Sequence, residues 1–348
     1  MNLYRGCTHN CVYCDGRAEG YYVEGDFGTD VIVKVNALEL LRRELDPKRK
    51  RTSFRSGYLM IGGGVGDSYQ PAEEKYGLTQ QTLKLLSEKN FPVHILTKST
   101  LVRRDVQVLK KINEQSKAIV SFSFSSTDET ISRVFEPGVP SPQKRLETIS
   151  FLKDNGIACG MFLLPVIPYI TDQKEIMEKT IQDAKQAGVD FIIFGGMTLK
   201  QGRQQEYFLN VLRQFDPALE KEYQKIYSNN PWGQARPDYY HQLNLTFHSL
   251  MKQTTIPKRI PPRLYKDLLS ENDLVVVILE HLDYLLKLEG KKTPFGYAAY
   301  SISQIQKPLT MMLGDLESIK GVGTQTAQII REILRVGTCK YYEELLRG

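Results

Sequence analysis

The chain has 348 residues, 41% of them hydrophobic and 25% charged, which excludes a disordered protein and suits one large domain plus a small one. Five cysteines are too few for a disulfide scaffold of this size. The longest apolar stretch, 274–279, is too short to span a bilayer, and no secretory signal is evident, so we expect a soluble, cytoplasmic protein. The formal net charge is +6; residues 271–348 hold 9 Lys and Arg against 10 Asp and Glu, so the basic surplus lies earlier.

The first informative feature in chain order is a loop with the spacing Cys7-x3-Cys11-x2-Cys14. Three thiolates in one tight loop can bind three iron atoms of a [4Fe–4S] cluster and leave the fourth iron open to another ligand. The alternatives are a zinc site or chance clustering. A zinc ion would need a fourth ligand, and the available His9 lies inside the loop, at a spacing unlike that of paired zinc ligands. The spacing therefore favours a cluster with an open iron.

Between residues 58 and 194, strand-like apolar runs alternate with helical patterns, which is typical of βα units around a parallel sheet. The predicted strands are Tyr58–Ile61, Val93–Thr97, Ala118–Phe124, Ile157–Leu163 and Phe191–Phe194. The predicted helices between them are Thr79–Lys89, Arg103–Gln115, Ser141–Asn155 and Asp172–Ala187. A further strand before Cys7 would complete six units, and this strand is either short or begins outside the sequence.

The pattern changes after Gly195-Gly196. Polar, aromatic-rich helices are predicted up to about residue 255, and the first domain is assigned to residues 1–255. Residues 256–270 contain three prolines and several basic residues, which is typical of an interdomain linker. The remaining residues, 271–348, are predicted to form an all-helical domain.

The cysteine loop and the following βα units resemble the radical SAM superfamily over about residues 1–255. Five shorter motifs resemble its spore photoproduct lyase branch: Asn2–Cys7, Gly66–Glu73, Leu96–Ser99 with Arg104-Asp105, Glu136–Pro140 with Arg145-Leu146, and Leu164–Pro168. The resemblance implies a partial (βα)6 TIM-type barrel with its site at the C-terminal ends of the strands. It also implies a [4Fe–4S] cluster, S-adenosylmethionine (SAM), cleavage of SAM to a 5′-deoxyadenosyl radical, and an external electron donor such as flavodoxin or ferredoxin.

The same resemblance assigns cofactor-binding residues: Tyr13, Gly62, Gly63, Gly64, Lys98, Ser121, Ser123 and Arg145. Tyr13 would stack on the adenine of SAM, or else it is a core aromatic. The three glycines end a strand where the superfamily usually has Gly-Gly-Glu, whose Glu holds the methionine amino group. That Glu is absent here, so the contact must come from backbone, which can approach a ligand closely at glycine, or from elsewhere.

Two of these assignments concern charged groups and two concern serines. Lys98 and Arg145 are candidates to bind the methionine carboxylate of SAM, with solvated charges as the alternative. Ser121 and Ser123 alternate with phenylalanines along one strand, so that one serine faces the barrel mouth and binds the ribose, or either satisfies a backbone group.

One departure from the branch concerns the hydrogen-atom donor. Photoproduct lyases of this branch use an additional cysteine on the segment after the second strand, and the corresponding segment here, 62–73, has none. Cys159 and Cys339 are interpreted as small buried hydrophobes. Repair of the spore photoproduct itself is therefore not expected, and Tyr69 is the alternative donor.

The last feature in chain order is Gly321-Val-Gly323, a tight hairpin that follows a helix ending at Ile319. Thr324 is predicted to cap a second helix, and its N-terminus with the two glycines forms a potential phosphate site. The sequence resembles a helix-hairpin-helix, and residues 271–348 resemble the small N-terminal domain of family X DNA polymerases. The predicted DNA-backbone contacts are Lys320, Gly321, Gly323, Thr324 and Arg331, and a protein-packing role is the alternative.

Three functional hypotheses follow. The favoured one is a radical SAM enzyme that repairs or modifies a base in DNA, with the basic run 48–51 and the linker in contact with the backbone and the helical domain gripping the duplex. The second is a radical SAM enzyme acting on RNA, protein or a small metabolite, with the helical domain as a scaffold. The third is a non-catalytic protein whose cluster senses redox state or iron.

Overall fold

The computed structural model describes residues 1–21, 25–46, 48, 57–63, 65–227, 230 and 232–347. The chain divides into two compact units, Met1–Leu250 and Met251–Gly348. Of the predicted basic run 48–51, only Lys48 lies within the described residues. No helix in the described ranges is long and apolar enough to cross a membrane.

The first unit is built on a parallel sheet, which confirms the predicted α/β class. Its described strands follow one another in chain order: β3 Leu59–Ile61, β4 Val93–Thr97, β5 Ala118–Phe124, β6 Ala158–Val166 and β7 Phe191–Gly196. Each pair of neighbours is parallel, with Ile95 opposite Val120 and Val120 opposite Cys159. β4 and β5 have the predicted bounds, because their apolar runs are buried on both faces.

The expected sixth strand is replaced by a different arrangement. Residues Tyr4–Arg5 form β1, which pairs antiparallel with β2, Ile32–Val33. The chain before β1 lies along the edge of β3, where the Gly62 N–H donates to the Met1 carbonyl at 3.1 Å. In the described residues the parallel sheet therefore has five strands, and the cysteine loop leaves from its first edge.

Helices follow the strands of the sheet. Those of the first unit are α1 Ala37–Glu44, α2 Ala72–Tyr76, α3 Leu78–Glu88, α4 Val106–Gln115, α5 Glu129–Phe135, α6 Pro142–Asp154, α7 Lys174–Gln186, α8 Arg203–Phe215, α9 Leu219–Ile226 and α10 Pro237–Met251. The Asp128 carboxylate caps α5, and the Ser141 hydroxyl caps α6, which has proline at its first position. The predicted helix Arg103–Gln115 begins later than expected, at Val106, because residues 103–105 belong to the 3-10 element Thr100–Asp105.

The second unit is helical in its described part, as predicted. Its helices are α11 Glu271–Leu288, α12 Phe295–Ser303, α13 Thr324–Val336 and α14 Lys340–Arg347. The residues predicted as a linker, 256–270, lie inside this unit. The Lys258 N–H donates to the Leu346 carbonyl at 3.0 Å, and Tyr265 is buried with its hydroxyl 3.5 Å from that of Tyr342.

Candidate functional site

The cysteine loop is a series of tight turns between β1 and a 3-10 turn at Asp15–Arg17. The Cys14 N–H donates to the Cys11 carbonyl at 3.3 Å, and the Gly16 N–H donates to Cys14 Sγ at 3.4 Å. Gly6 has a φ of +83°, and a Cβ there would lie 2.4 Å from the Asp30 carbonyl oxygen. Only glycine fits this turn, which directs Cys7 back towards the sheet.

The three cysteines meet the ends of the strands around one small cavity of about 100 Å³. Its lining residues are Cys7, His9, Cys11, Cys14, Gly63, Gly66, Asp67, Leu96, Thr97, Lys98 and Ser123. The glycines and Asp67 follow β3, Lys98 follows β4, and Ser123 is the penultimate residue of β5. The cavity therefore lies at the C-terminal ends of parallel strands, where α/β proteins bind ligands.

His9 holds the cysteine loop in place from within. Its Nε2 lies 3.1 Å from Asp67 Oδ2 and its Nδ1 lies 3.1 Å from the Gly138 carbonyl. The Gly138 N–H in turn donates to the His9 carbonyl at 3.0 Å. A Cβ on Gly138 would lie 2.5 Å from the Thr8 carbonyl oxygen, so the two backbones touch. His9 is therefore a buried support for the loop.

Asp67 joins this loop to the strands, a role that its place in the Gly66–Glu73 motif did not reveal. Its Oδ1 accepts from the Tyr69 N–H at 2.8 Å and from Thr97 Oγ1 at 2.7 Å. Its Oδ2 accepts from the Lys98 N–H at 2.6 Å, besides the contact with His9. Burial by itself would raise the pKa of Asp67, but His9 and these hydrogen bonds lower it.

A second buried carboxylate, Glu136, gathers the charged residues at the other side of the cavity. Glu136 Oε1 is 2.8 Å from Lys98 Nζ and accepts a hydrogen bond from the Tyr13 hydroxyl. Its Oε2 is 2.6 Å from Arg145 Nη2. Burial by itself would raise the pKa of Glu136, but the positive charges of Arg145 and Lys98 lower it to about 2. Glu136 therefore stays ionised, although it is 1% exposed.

Besides Gly62, three of the predicted cofactor contacts among the described residues do not line this cavity. Arg145 is fully buried behind Glu136, with Nη1 donating to the Ser123 carbonyl at 2.8 Å, and it is not among the residues that line the cavity. Tyr13 lies in an apolar core cluster, as its alternative interpretation expected. Ser121 is turned away from the cavity and its hydroxyl lies 2.8 Å from His94 Nε2.

The predicted glycines after β3 also differ in whether they line the cavity. Gly63 lines the cavity, whereas Gly62 supports it: a Cβ on Gly62 would lie 2.3 Å from the Leu96 carbonyl oxygen. Both have positive φ angles, +78° and +90°, a conformation that favours glycine. Gly64 lies outside the described residues.

Residues of three resemblance motifs form a largely buried network beside the site. Glu73 accepts hydrogen bonds from the Tyr4 hydroxyl, the Thr79 N–H and Arg104 Nη2, at 2.5, 2.8 and 2.7 Å. Arg104 also pairs with Asp105, which accepts a hydrogen bond from the Tyr69 hydroxyl at 3.0 Å. Tyr69, the alternative hydrogen donor, is 1% exposed and does not line the cavity. Its position favours a structural role.

The three cysteine thiols indicate which kind of metal group fits the cavity. Burial raises the pKa of all three thiols, that of Cys11 to about 12, so their thiolates depend on bound metal. Within the described residues, no three His, Cys, Asp or Glu side chains converge on a point for a single metal ion. A cubane cluster needs another arrangement, because each thiolate binds a different iron atom. The buried thiols of Cys7 and Cys11 and the half-buried thiol of Cys14 lie around one cavity and fit such a cluster.

Cys159 and Cys339 lie outside the cavity. Both side chains are fully buried, and burial raises the pKa of both thiols, that of Cys339 to about 11. This placement confirms their interpretation as small buried hydrophobes.

In the second unit, the Gly-Val-Gly segment forms a hairpin. Gly321 has a φ of +82°, and a Cβ there would lie 2.6 Å from the Tyr297 ring. α13 begins at Thr324 and its N-cap residue is Gly323, so the prediction of Thr324 as the cap is wrong. The helix predicted before the hairpin is one 3-10 turn, Leu316–Ser318.

The predicted DNA contacts differ in their surroundings. Lys320, Gly323 and Thr324 are exposed. Arg331 is engaged within the protein, since its Nε and Nη2 donate to the Leu313 carbonyl at 3.3 and 3.2 Å. Phosphate binding through Arg331 would compete with this contact.

Comparison with protein families matches residues 1–180, just over half of the chain, to the radical SAM superfamily. The chain belongs to this superfamily. As a radical SAM enzyme it uses a [4Fe–4S] cluster and S-adenosylmethionine and needs an electron donor.

Three relatives and neighbours illustrate the similarity. An uncharacterised protein of Mycobacterium bovis is 33% identical over 67% of this chain and 68% of its own length. A radical SAM Nα-GlyT isomerase of Pseudomonas phage M6 is 29% identical over 49% of this chain and 33% of its own. A spore photoproduct lyase variant, solved with bound AdoMet and dinucleoside spore photoproduct, has a TM-score of 0.53 at 16% identity and covers 73% of both chains. This last similarity concerns the fold.

Proposed function

We propose that this radical SAM enzyme binds its cluster through Cys7, Cys11 and Cys14 and acts on DNA, repairing or modifying a base. The observation that carries the cluster assignment is the convergence of the three thiols with Lys98 around one cavity at the strand ends. When bound, the reduced cluster and SAM supply a 5′-deoxyadenosyl radical. A flavodoxin or ferredoxin is the proposed source of the electron.

The cavity residues have distinct proposed roles towards SAM. Lys98 binds its carboxylate through the ammonium group, which is the charged donor that lines the cavity beside the cysteines. Ser123, which lines the cavity, is assigned to the ribose, and its hydroxyl donates to the Leu164 carbonyl at 2.8 Å in this structure. Gly63 allows the backbone to approach the amino group, and this contact stands in for the absent Glu.

Two observations support DNA as the substrate class. The first unit shares its fold with a lyase whose solved structure holds a dinucleoside photoproduct. The second unit presents the hairpin with Lys320 and Thr324 exposed at the start of α13. We propose that this segment, whose sequence resembles the helix-hairpin-helix of the family X polymerase domain, grips the DNA backbone through Lys320, Gly321, Gly323 and Thr324, with Arg331 adding a charge.

The cluster assignment is tested by SAM cleavage. Anaerobically reconstituted protein, given dithionite and SAM, should release 5′-deoxyadenosine, and Cys11→Ala should release none. Cys159→Ala is the matched control, because it removes another buried thiol outside the loop, and it should retain activity. Failure of the wild-type protein to cleave SAM would favour a sensing role for the cluster.

The DNA assignment is tested separately by binding. The full chain should bind duplex DNA with an affinity that falls steeply with salt, and Lys320→Ala should reduce both the affinity and the salt dependence. Lys307→Ala, at another exposed lysine of the same unit, is the control. Equal binding by both variants would exclude Lys320 as a contact and point either to a DNA site on the barrel alone or to RNA, protein or a small metabolite as the substrate.

A further inference from the structure

The Lys98 ammonium group is only partly satisfied by the protein. It carries three N–H donors. Within the described residues its hydrogen-bond acceptors are Glu136 Oε1, at 2.8 Å, and the Ser123 carbonyl, at 3.2 Å. One donor therefore remains for a ligand in the cavity that Lys98 lines.

The charge around this ammonium group depends on a third residue. Lys98 and Glu136 alone would form a neutral pair with little attraction for an anion. Arg145 contacts the far oxygen of the same carboxylate at 2.6 Å and is fully buried. The group formed by Lys98, Glu136 and Arg145 contains two cations and one carboxylate, so its own net charge is positive by one unit. Lys98 is the member of this group that lines the cavity.

The contacts of Arg145 within the described part of the protein give no other use for its charge. Its Nη groups contact Glu136, Ser132 and the Ser123 carbonyl, and its guanidinium lies 4.3 Å from the centre of the Phe124 ring. Burying a guanidinium group is costly unless its charge is used or paired. An uncharged apolar residue beside Phe124 would avoid that cost if Lys98 and Glu136 needed no further charge.

We propose that Arg145 is a positioning residue for SAM binding that acts through Glu136. By offsetting the charge of Glu136, it lets Lys98 present an uncompensated positive charge to the carboxylate of SAM. The effect is large in a buried site, because charges interact strongly where water is excluded. This inference rests on the proposed contact between Lys98 and SAM, and it replaces a direct contact by Arg145.

The test compares charge states of the group in the cluster-loaded holoenzyme, with SAM affinity measured by anaerobic equilibrium dialysis. Arg145→Met makes the group neutral and should weaken SAM binding by roughly tenfold to a hundredfold, the loss expected for a charged hydrogen bond. The double variant Arg145→Met with Glu136→Gln removes one cation and one anion. It restores the single positive charge and should recover most of the affinity.

A second ligand separates this effect from structural damage. 5′-Methylthioadenosine shares the adenosine and sulfur of SAM but has no carboxylate, so its affinity should not change in Arg145→Met. Equal losses for both ligands would overturn the proposal, as would weak SAM binding by the double variant. If Arg145→Met does not fold, the double variant still tests the proposal. A direct contact between Arg145 and SAM predicts that the double variant binds SAM weakly, whereas a role through Glu136 predicts that it binds SAM well.

A further variant tests the underlying proposal. Lys98→Met should weaken SAM binding at least as much as Arg145→Met. If Lys98→Met binds SAM like the wild type, the assignment of Lys98 fails. If only Lys98→Met loses affinity and Arg145→Met does not, the role of Arg145 alone is overturned.

Discussion

Nε2 of His9 lies 3.1 Å from Oδ2 of Asp67, and both side chains are buried beside the cavity. This contact joins the middle of the cysteine loop to the segment that follows β3. Because the same carboxylate also accepts the Lys98 N–H, it fixes the cysteines relative to two strand ends. The geometry of the three thiols therefore depends on a residue that binds no metal itself.

Asp67→Asn should loosen the cysteine loop. The amide keeps the shape but loses the negative charge, and its NH2 group cannot accept the hydrogen bonds that an oxygen accepts now. We expect a loss of about 1–3 kcal/mol in the free energy of unfolding and fewer iron atoms per chain after reconstitution. Denaturant unfolding and iron analysis measure these effects. Asp154→Asn, at an exposed position, should change neither.

Gly138→Ala should displace the same loop from the other side. The new Cβ would lie 2.5 Å from the Thr8 carbonyl oxygen and 2.8 Å from that of His9, and backbone cannot move aside as a flexible side chain can. We expect destabilisation of about 1–3 kcal/mol and reduced cluster content. Gly314→Ala, which meets nothing within 4 Å, is the control. Full iron loading in Gly138→Ala would show that the contact does not position the cysteines.

Glu73→Gln should destabilise the first unit while Glu74→Gln does not. Glu73 is fully buried and accepts from Tyr4, Thr79, Gln80 and Arg104, whereas its neighbour is exposed. Loss of the charge leaves the guanidinium of Arg104 less well paired, and we expect a cost of about 1–3 kcal/mol. Urea unfolding of the two variants gives the comparison, and similar midpoints would contradict the role of the network.

His94 should make the stability depend on pH. Burial lowers its pKa to about 4 from an ordinary 6.5. The unfolded chain therefore takes up a proton at higher pH than the native one, and stability is lost as the pH falls from about 6.5 towards 4. His94→Gln removes this titration, so between pH 7.5 and 5 the wild type should lose roughly 2 kcal/mol more than the variant.

A second histidine, His281, does not affect the comparison between the wild type and His94→Gln. Burial also lowers the pKa of His281 to about 4, and this residue is present in both proteins. Its contribution therefore cancels in the difference. Parallel pH profiles for the wild type and His94→Gln would contradict the effect.

The sequence predicted well what depends on local spacing. Val93–Thr97 and Ala118–Phe124 have the predicted bounds because a buried parallel strand is an uninterrupted apolar run. The sequence also predicted the chemistry of the cysteine loop, because three thiols separated by three and two residues must lie close together. Lys98 was also predicted at a strand end, and Ser123 was one of two candidate serines on its strand; both line the cavity.

The tertiary structure decided what depends on pairs of residues far apart in the chain. Sequence alternation could not tell which serine of β5 faces the cavity, and packing against His94 excludes Ser121. Glu136 stands 38 residues from Lys98, and Asp67 stands 58 residues from His9, so no local pattern marks either pair. The sequence likewise marked Arg145 as a charge near the site. Its position behind Glu136 is a property of the tertiary structure, because folding brings the two side chains together and buries both.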